Sequence, residues 1–259
     1  MTAVGQDDEV AGMELIPLGV GDAFSARHYS TSLAVRDTAS GAWLLVDCPH
    51  PIHKILREAT ASSGVELPLT KLAGTLISHL HSDHCSGLEG LGYYIRYRIH
   101  SHLEELREDE LPVLVAGPRV ATALAGEEAE RQVFQIRGLE PGKVLELGPF
   151  QVETRPTVHG SMPCYAFRIS SAGRSVGHSA DTRLDPELIE WLAAADFMVH
   201  EIGSPIPGTG NHTCHGELAE FLKAWPEVAA KVHLAHYGDE FCRESTELKV
   251  LAQGVRYLV

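Results

Sequence analysis

Apolar residues in this chain gather in short β-branched and aliphatic runs, each closed by glycine, proline or a polar turn. Met13-Glu14-Leu15-Ile16-Pro17-Leu18-Gly19 predicts a first strand. Ser32-Leu33-Ala34-Val35-Arg36 and Trp43-Leu44-Leu45-Val46-Asp47-Cys48 predict two strands of a meander. Leu72-Ala73-Gly74-Thr75-Leu76-Ile77 reads as a buried strand, and residues 113–118 as a strand and turn. Residues 144–154 read as a hairpin around Gly148-Pro149, and the apolar runs at 164–169, 174–178, 197–201 and 232–236 as further strands. Between them, residues 51–63, 88–107, 119–125, 184–194 and 215–225 carry apolar positions at helical spacing. Gly126 predicts the end of the third of these helices, and Asp185-Pro186 the start of the fourth. Residues 1–12 carry neither period and predict a loose tail. No repeat or linker divides the remainder, so residues 13–259 predict one domain.

The strand ending at Ile77 runs directly into Ser78-His79-Leu80-His81-Ser82-Asp83-His84, which places three imidazoles and a carboxylate on a strand-end loop. Alternation turns His79 and His81 the same way, and Asp83 and His84 follow where the loop bends. Neutral imidazole and ionised carboxylate suit a borderline divalent cation such as Zn²⁺. A merely solvated polar loop is the plainer reading, and the density of donors immediately after a buried strand argues against it. Other polar features invite blander readings. Gly19-Val20-Gly21-Asp22-Ala23-Phe24-Ser25 lacks the spacing of a P-loop and predicts a tight turn beneath the site. His50 and His53 read as surface or capping residues, His100 and His102 as solvated, and His233 as packed in the sheet. Tyr93, Tyr94 and Tyr97 with Arg96 and Arg98 read as core aromatics with arginine stems lying over them.

Composition narrows the function classes. With 259 residues, 44% of them hydrophobic, the chain can bury a full core. A formal charge of −14 repels a nucleic-acid backbone. Cys48, Cys85, Cys164, Cys214 and Cys242 are an odd, dispersed set, which predicts free thiols in a reducing compartment. The acidic start has no apolar core of a signal peptide, and no run reaches the length of a membrane span. A cytoplasmic protein with no membrane partner is the expectation.

The His79-x-His81-x-Asp83-His84 string resembles the motif of the metallo-β-lactamase superfamily, whose members hold two metals in an αββα four-layer sandwich of the α/β class. The resemblance implies that His79 and His81 help hold one cation, and Asp83 and His84 the second. Such a protein also needs, in order, a third His, a bridging Asp and a final His. Thr157-Val158-His159-Gly160, Ser179-Ala180-Asp181-Thr182 and Leu234-Ala235-His236 stand at those steps. The implied ligand set is therefore His79, His81, Asp83, His84, His159, Asp181 and His236, holding two divalent ions, Zn²⁺ foremost with Mn²⁺ as the alternative. Asp47, at the end of its strand, either steadies the metal loop or caps the strand; both readings stay open.

Leu18-Gly19-Val20-Gly21-Asp22 and the extension Cys85-Ser86-Gly87-Leu88-Glu89-Gly90-Leu91 resemble the ribonuclease Z and phosphodiesterase branch. Val199-His200-Glu201 resembles its His-Glu-Ala-Thr box, with Ile202-Gly203 in place of Ala-Thr, and Asn211-His212-Thr213 resembles its His-Ser-Thr box. This implies that His212 donates a proton to the leaving oxygen, that Glu201 orients it, and that Asp83 takes a proton from the attacking water. The tRNA-processing members carry a long arm between the third His and the bridging Asp; here only Ser170-Ser171-Ala172-Gly173 joins the two strands. tRNA is therefore a poor substrate, and a small phosphodiester such as a cyclic nucleotide a good one. A lactonase or thioesterase, a ribonuclease Z-like endonuclease and a non-catalytic nucleotide-binding module are the alternatives, and a homodimer is open.

Overall fold

A computed structural model of the chain describes residues 12–100 and 111–259. The tail expected over residues 1–12 lies, but for Gly12, outside the described residues, as does His102. Two seven-stranded sheets form the centre. The first contains β1 (Met13–Gly19), β2 (Ser32–Asp37), β3 (Trp43–Val46), β4 (Leu72–Ile77), β5 (Val113–Ala116), β6 (Gln135–Gly138) and, at its other edge beside β1, β14 (Tyr257–Leu258). The second contains β7 (Val144–Leu147), β8 (Phe150–Pro156), β9 (Tyr165–Ser171), β10 (Arg174–His178), β11 (Phe197–Glu201), β12 (Val232–Ala235) and β13 (Lys249–Val250), in chain order across the sheet. In each sheet the earlier strands pair antiparallel; β3 to β6, and likewise β10 to β13, run parallel.

Period-two alternation decides which side chain enters which layer. Leu15, Leu33, Val35, Leu44, Val46 and Leu76 join Phe150, Val152, Phe167, Ile169 and Val176 in one apolar cluster between the sheets. Their neighbours Ile16, Ala34, Leu45 and Ile77 face the other way. There they meet Ile52 and Ile55 of α1 (Ile52–Ser63), Leu91 of α3 (Leu88–Tyr94) and Val120 of α4 (Pro118–Arg131). Leu188, Ile189 and Leu192 of α5 (Pro186–Leu192) and Leu218 and Leu222 of α6 (His215–Leu222) join the first cluster. The αββα sandwich is the observed fold, and no helix among the described residues is long and apolar enough to cross a membrane.

Several boundaries depart from expectation. The helix expected to stop at Gly126 runs on to Arg131, because Gly126 faces open space and its Ala- and Glu-rich neighbours favour helix. The helix after the metal loop widens into a π-turn over Ile95–Ile99. The helix expected over 215–225 ends at Leu222; Trp225 precedes proline and leaves the helical region, and an unforeseen turn of helix, α7 (Pro226–Ala229), follows it. The short edge strands β6, β13 and β14 carry too little pattern to be foreseen.

His233 is packed in the sheet as expected. Its ring stacks on Phe197 at 3.8 Å between centroids, and its Nδ1 lies 2.9 Å from the Lys231 carbonyl. Burial, reinforced by the Lys249 charge, pushes its pKa down to about 4. The native ring thus stays neutral where the unfolded chain, with a pKa near 6.5, takes up a proton. The stability this contributes is complete above pH 6.5 and is lost as pH falls towards 4. In chelator-treated protein, urea unfolding should show His233→Phe gaining about 1–2 kcal/mol on the wild type between pH 7 and pH 4.5, a range discounted for partial solvent screening.

Candidate metal centre

All the foreseen site residues lie along one rim, where strands end and loops begin. β4 delivers His79 and His81, and a single helical turn, α2 (Ser82–Cys85), carries Asp83 and His84 rather than the open loop expected. The segments following β8, β10, β11 and β12 deliver His159, Asp181, His212 and His236, while Glu201 closes β11. Loops at the carboxyl ends of parallel strands are where α/β sheets converge functional groups. Asp47, Ala180 and His236 lie at such ends with left-handed φ values of 58°, 50° and 56°. For a non-glycine residue that conformation costs about 1–3 kcal/mol. Here it turns the chain sharply and aims Asp47, Asp181 and His236 inward.

Three ring nitrogens crowd one point. His79 Nε2 and His159 Nε2 lie 2.9 and 3.1 Å from His81 Nδ1. The opposite ring nitrogens fix two of the tautomers. His159 Nδ1 donates to the Asn211 carbonyl at 2.8 Å. Ser78 Oγ donates to Asp47 Oδ2 at 2.8 Å and so accepts from His79 Nδ1 at 3.0 Å. Both Nε2 atoms therefore present lone pairs. A second group gathers beside the first. His84 donates through Nδ1 to Asp47 at 2.7 Å and turns Nε2 towards Asp83 Oδ2 at 3.2 Å. His236 Nε2 lies 3.5 Å from the same carboxylate oxygen. Asp47 thus holds both the Ser78 backbone and the His84 ring, which settles its role in favour of steadying the metal loop.

Asp181 stands between the groups. Its Oδ2 is 3.6 Å from His79 Nε2, 3.8 Å from His159 Nε2 and 3.5 Å from His84 Nε2; its Oδ1 is 3.5 Å from His236 Nε2. The potential ligand atoms form three sets: His79, His81, His159, Asp181; Asp83, His84, His236; and Asp181, His212, His236. The first two take members from both sheets, whereas the third lies wholly in segments that follow strands of the second sheet.

The electrostatics match this geometry. Burial, with His84 nearby, lowers the His79 pKa to about 2 and keeps that ring a neutral donor. Burial also works against charge on His236, yet Asp181 and Asp83 outweigh it and raise that pKa to about 9. For Asp83 the same opposition is won by the His236 and His84 rings beside it, which hold its carboxyl well below the usual range. Buried carboxylates thus create a strong local demand for positive charge. His84 Nε2 and both His236 ring nitrogens are buried without a hydrogen-bond partner among the described residues. Unpartnered imidazole nitrogens, lone pairs at contact distance and buried carboxylates form a donor set that fits divalent cations.

Glu201 is buried, and its carboxylate accepts from the backbone N–H groups of Thr182 (3.0 Å), Thr213 (3.0 Å) and Gly203 (2.5 Å), and from His212 Nδ1 at 3.2 Å. It therefore joins the Asp181 loop to the His212 loop as well as orienting His212. Thr157 Oγ1 on the Asp181 carbonyl and Thr213 Oγ1 on the Thr182 carbonyl, at 2.8 and 2.9 Å, complete the latch. Burial lowers the His212 pKa, but the hydrogen bond and charge of Glu201, with Asp181 beyond, raise it overall. Its ring stacks on His236 at 5.4 Å. His178, His200 and His215 enter none of the ligand sets among the described residues.

Ser78 and Thr157 carry no sequence signal of their own, and Asn211 and Thr213 were visible only as the neighbours of His212 in its box. Gly203 carried a signal, as a departure from the expected box. A Cβ there would lie 2.8 Å from His236 Nδ1 and 3.0 Å from His212 Nδ1. Restoring the box threonine by Gly203→Thr should therefore displace both rings. Turnover is expected to fall by about 10²-fold with an unchanged circular dichroism spectrum.

Fold and site define a metallo-β-lactamase-fold protein. YhfI of Bacillus subtilis, a protein of that fold, superposes with a TM-score of 0.77 at 19% identity, covering 95% of this chain and 99% of its own. Human tRNase Z, short form, superposes at 0.70 with 18% identity, covering 94% and 98%. Within this class, residues 13–257 match the family described as Anti-Pycsar protein Apyc1, and the chain belongs to that family. The Anti-Pycsar protein Apyc1 of Bacillus phage 010DV004 is 29% identical over 268 aligned positions, covering 95% of this chain and 98% of the relative.

Proposed function

We propose that residues 13–259 form one hydrolase domain that cleaves a small phosphodiester, a cyclic mononucleotide foremost, with two divalent cations. The observation that carries this reading is the Asp181 carboxylate, which stands between the two groups with one oxygen towards His79, His159 and His84 and the other towards His236. His79, His81, His159 and Asp181 would hold one cation, and Asp83, His84, His236 and Asp181 the other, Zn²⁺ being the first choice and Mn²⁺ the second. Such a pair supplies an acidified water as nucleophile and neutralises charge on the phosphoryl oxygens.

The protein's own groups do the rest. Asp83 accepts the proton of the attacking water. His212 donates through Nε2 to the departing alkoxide while Glu201 accepts its Nδ1–H, holding the ring in the tautomer and orientation that this transfer needs. A thioester expels a thiolate and has no comparable need for an oriented acid, so the Glu201–His212 pair favours phosphodiester over thioester. The β9–β10 connection is a tight turn, with Ala172 and Gly173 at positive φ, and offers no arm to grip a tRNA. The reading is tested by assaying zinc- and manganese-loaded protein against cyclic mononucleotides beside a linear phosphodiester, a lactone and a thioester. Turnover of the lactone or thioester in preference to every phosphodiester would overturn it.

A further inference from the structure

The mechanism above acts on a phosphodiester and leaves the rest of a nucleotide unheld. Large apolar side chains exposed on the described surface are few, and two of them stand on loops rooted in the metal centre. Phe24 is 91% exposed and Ile206 is 61% exposed. The others lie on α3 and its π-turn, on β7, or near the carboxyl terminus.

Phe24 belongs to a loop that is firmly built. Its backbone N–H is held by Asp22 Oδ1 at 2.9 Å. The Asp239 carboxylate accepts from Ser25 Oγ at 2.6 Å and from the N–H groups of Ala26 and Arg27 at 3.0 and 3.3 Å. Gly21 bridges to Tyr237, the residue after His236, and Asp22 N–H donates to the Tyr237 carbonyl. The tight turn expected here is thus fastened beside a metal-facing ring. Ile206 lies on the segment between Glu201 and His212, where its N–H and carbonyl both engage Ser204 Oγ. His236, next to the Tyr237 to which the Phe24 loop is fastened, and His212, at the end of the Ile206 segment, stack 5.4 Å apart. An aromatic ring kept in water on a rigid loop, with an aliphatic side chain on the adjacent loop, matches what a planar, weakly hydrated heterocycle requires.

We propose that Phe24 and Ile206 form an apolar clamp for the nucleobase of the substrate, Phe24 by stacking and Ile206 by contact with the base face. This rests on the cyclic-nucleotide reading and deepens it. Neither side chain touches the reacting atoms, so the clamp sets KM and base dependence and leaves kcat alone.

The test compares a cyclic mononucleotide with glycerol cyclic phosphate, which has the ester and no base. Phe24→Ala should raise KM for the nucleotide about 5- to 30-fold with kcat kept, and leave glycerol cyclic phosphate unaffected. Ile206→Ser should act in the same direction, and Phe24→Trp should restore the wild-type KM. As a readout independent of turnover, saturation transfer from the protein to the base protons of a nucleoside monophosphate should weaken in Phe24→Ala. An unchanged KM, or equal losses on both substrates, overturns the clamp and leaves the phosphodiesterase reading standing. A wild type that turns over neither compound overturns the phosphodiesterase reading, and the clamp with it.

Discussion

A His212→Ala variant is expected to keep its full metal content and to lose about 10²–10⁴-fold in kcat on a cyclic nucleotide. His212 shares a set of potential ligands with Asp181 and His236, but its Nδ1 is held by Glu201, and the proposed role is that of an acid beside the cations rather than of a ligand. Two measurements make the expectation specific. With a p-nitrophenyl phosphodiester, whose leaving group needs no proton, the loss should shrink towards unity. Glu201 raises the His212 pKa, so the protonated acid persists to higher pH and the wild-type rate falls only as that proton is lost. That falling limb should flatten in the variant. Loss of metal equal to that of an Asp181 variant would assign His212 to the ligand set instead.

Asp181→Ala is expected to fail differently. Its two oxygens face ligands of both groups, so truncation weakens both cation sites at once. Metal analysis after gel filtration should show the bound cations lost, with activity falling to background. The stabilisation that metal confers should vanish as well. A cation present at 100 times its dissociation constant stabilises the folded state by about 2.7 kcal/mol. For a chain of this size the corresponding rise in Tm is about 5–10 °C, expected for the wild type on zinc addition and absent from the variant. An Asp181→Ala protein that retains two equivalents of zinc would remove the bridging assignment.

The sequence made the first ligand segment legible because four donors follow a buried strand with no intervening break, and few other demands produce that pattern. His159, Asp181 and His236 were legible only as an ordered series; each alone is an ordinary polar residue at a strand end. Asp47 was visible as a place but not as a role, because its hydrogen bonds reach Ser78 and His84 across the β3–β4 pairing. The left-handed backbone at Ala180 and His236 was not legible at all, since no glycine or asparagine marks it and tertiary contacts impose it. Gly203 was noticed for breaking a box, and only the packed rings of His212 and His236 explain the missing side chain. In the fold, β1 to β4 and the β7–β8 hairpin followed from short apolar runs closed by turn residues. β6, β13 and β14 did not, because two to four residues at an edge hold too few periods to register.

The two proposed cation sites each draw on both halves of the sandwich: His79, His81, Asp83 and His84 come from the amino-terminal sheet, His159, Asp181 and His236 from the carboxy-terminal one. Neither half owns a complete proposed site. On the proposed assignment, competence for hydrolysis emerges only once the late-synthesised half has docked onto the early one, and a nascent or half-denatured chain has no working centre with which to attack the cell's nucleotides. The ions then act as rivets across the seam, so resistance to unfolding and readiness for chemistry are gained in the same event.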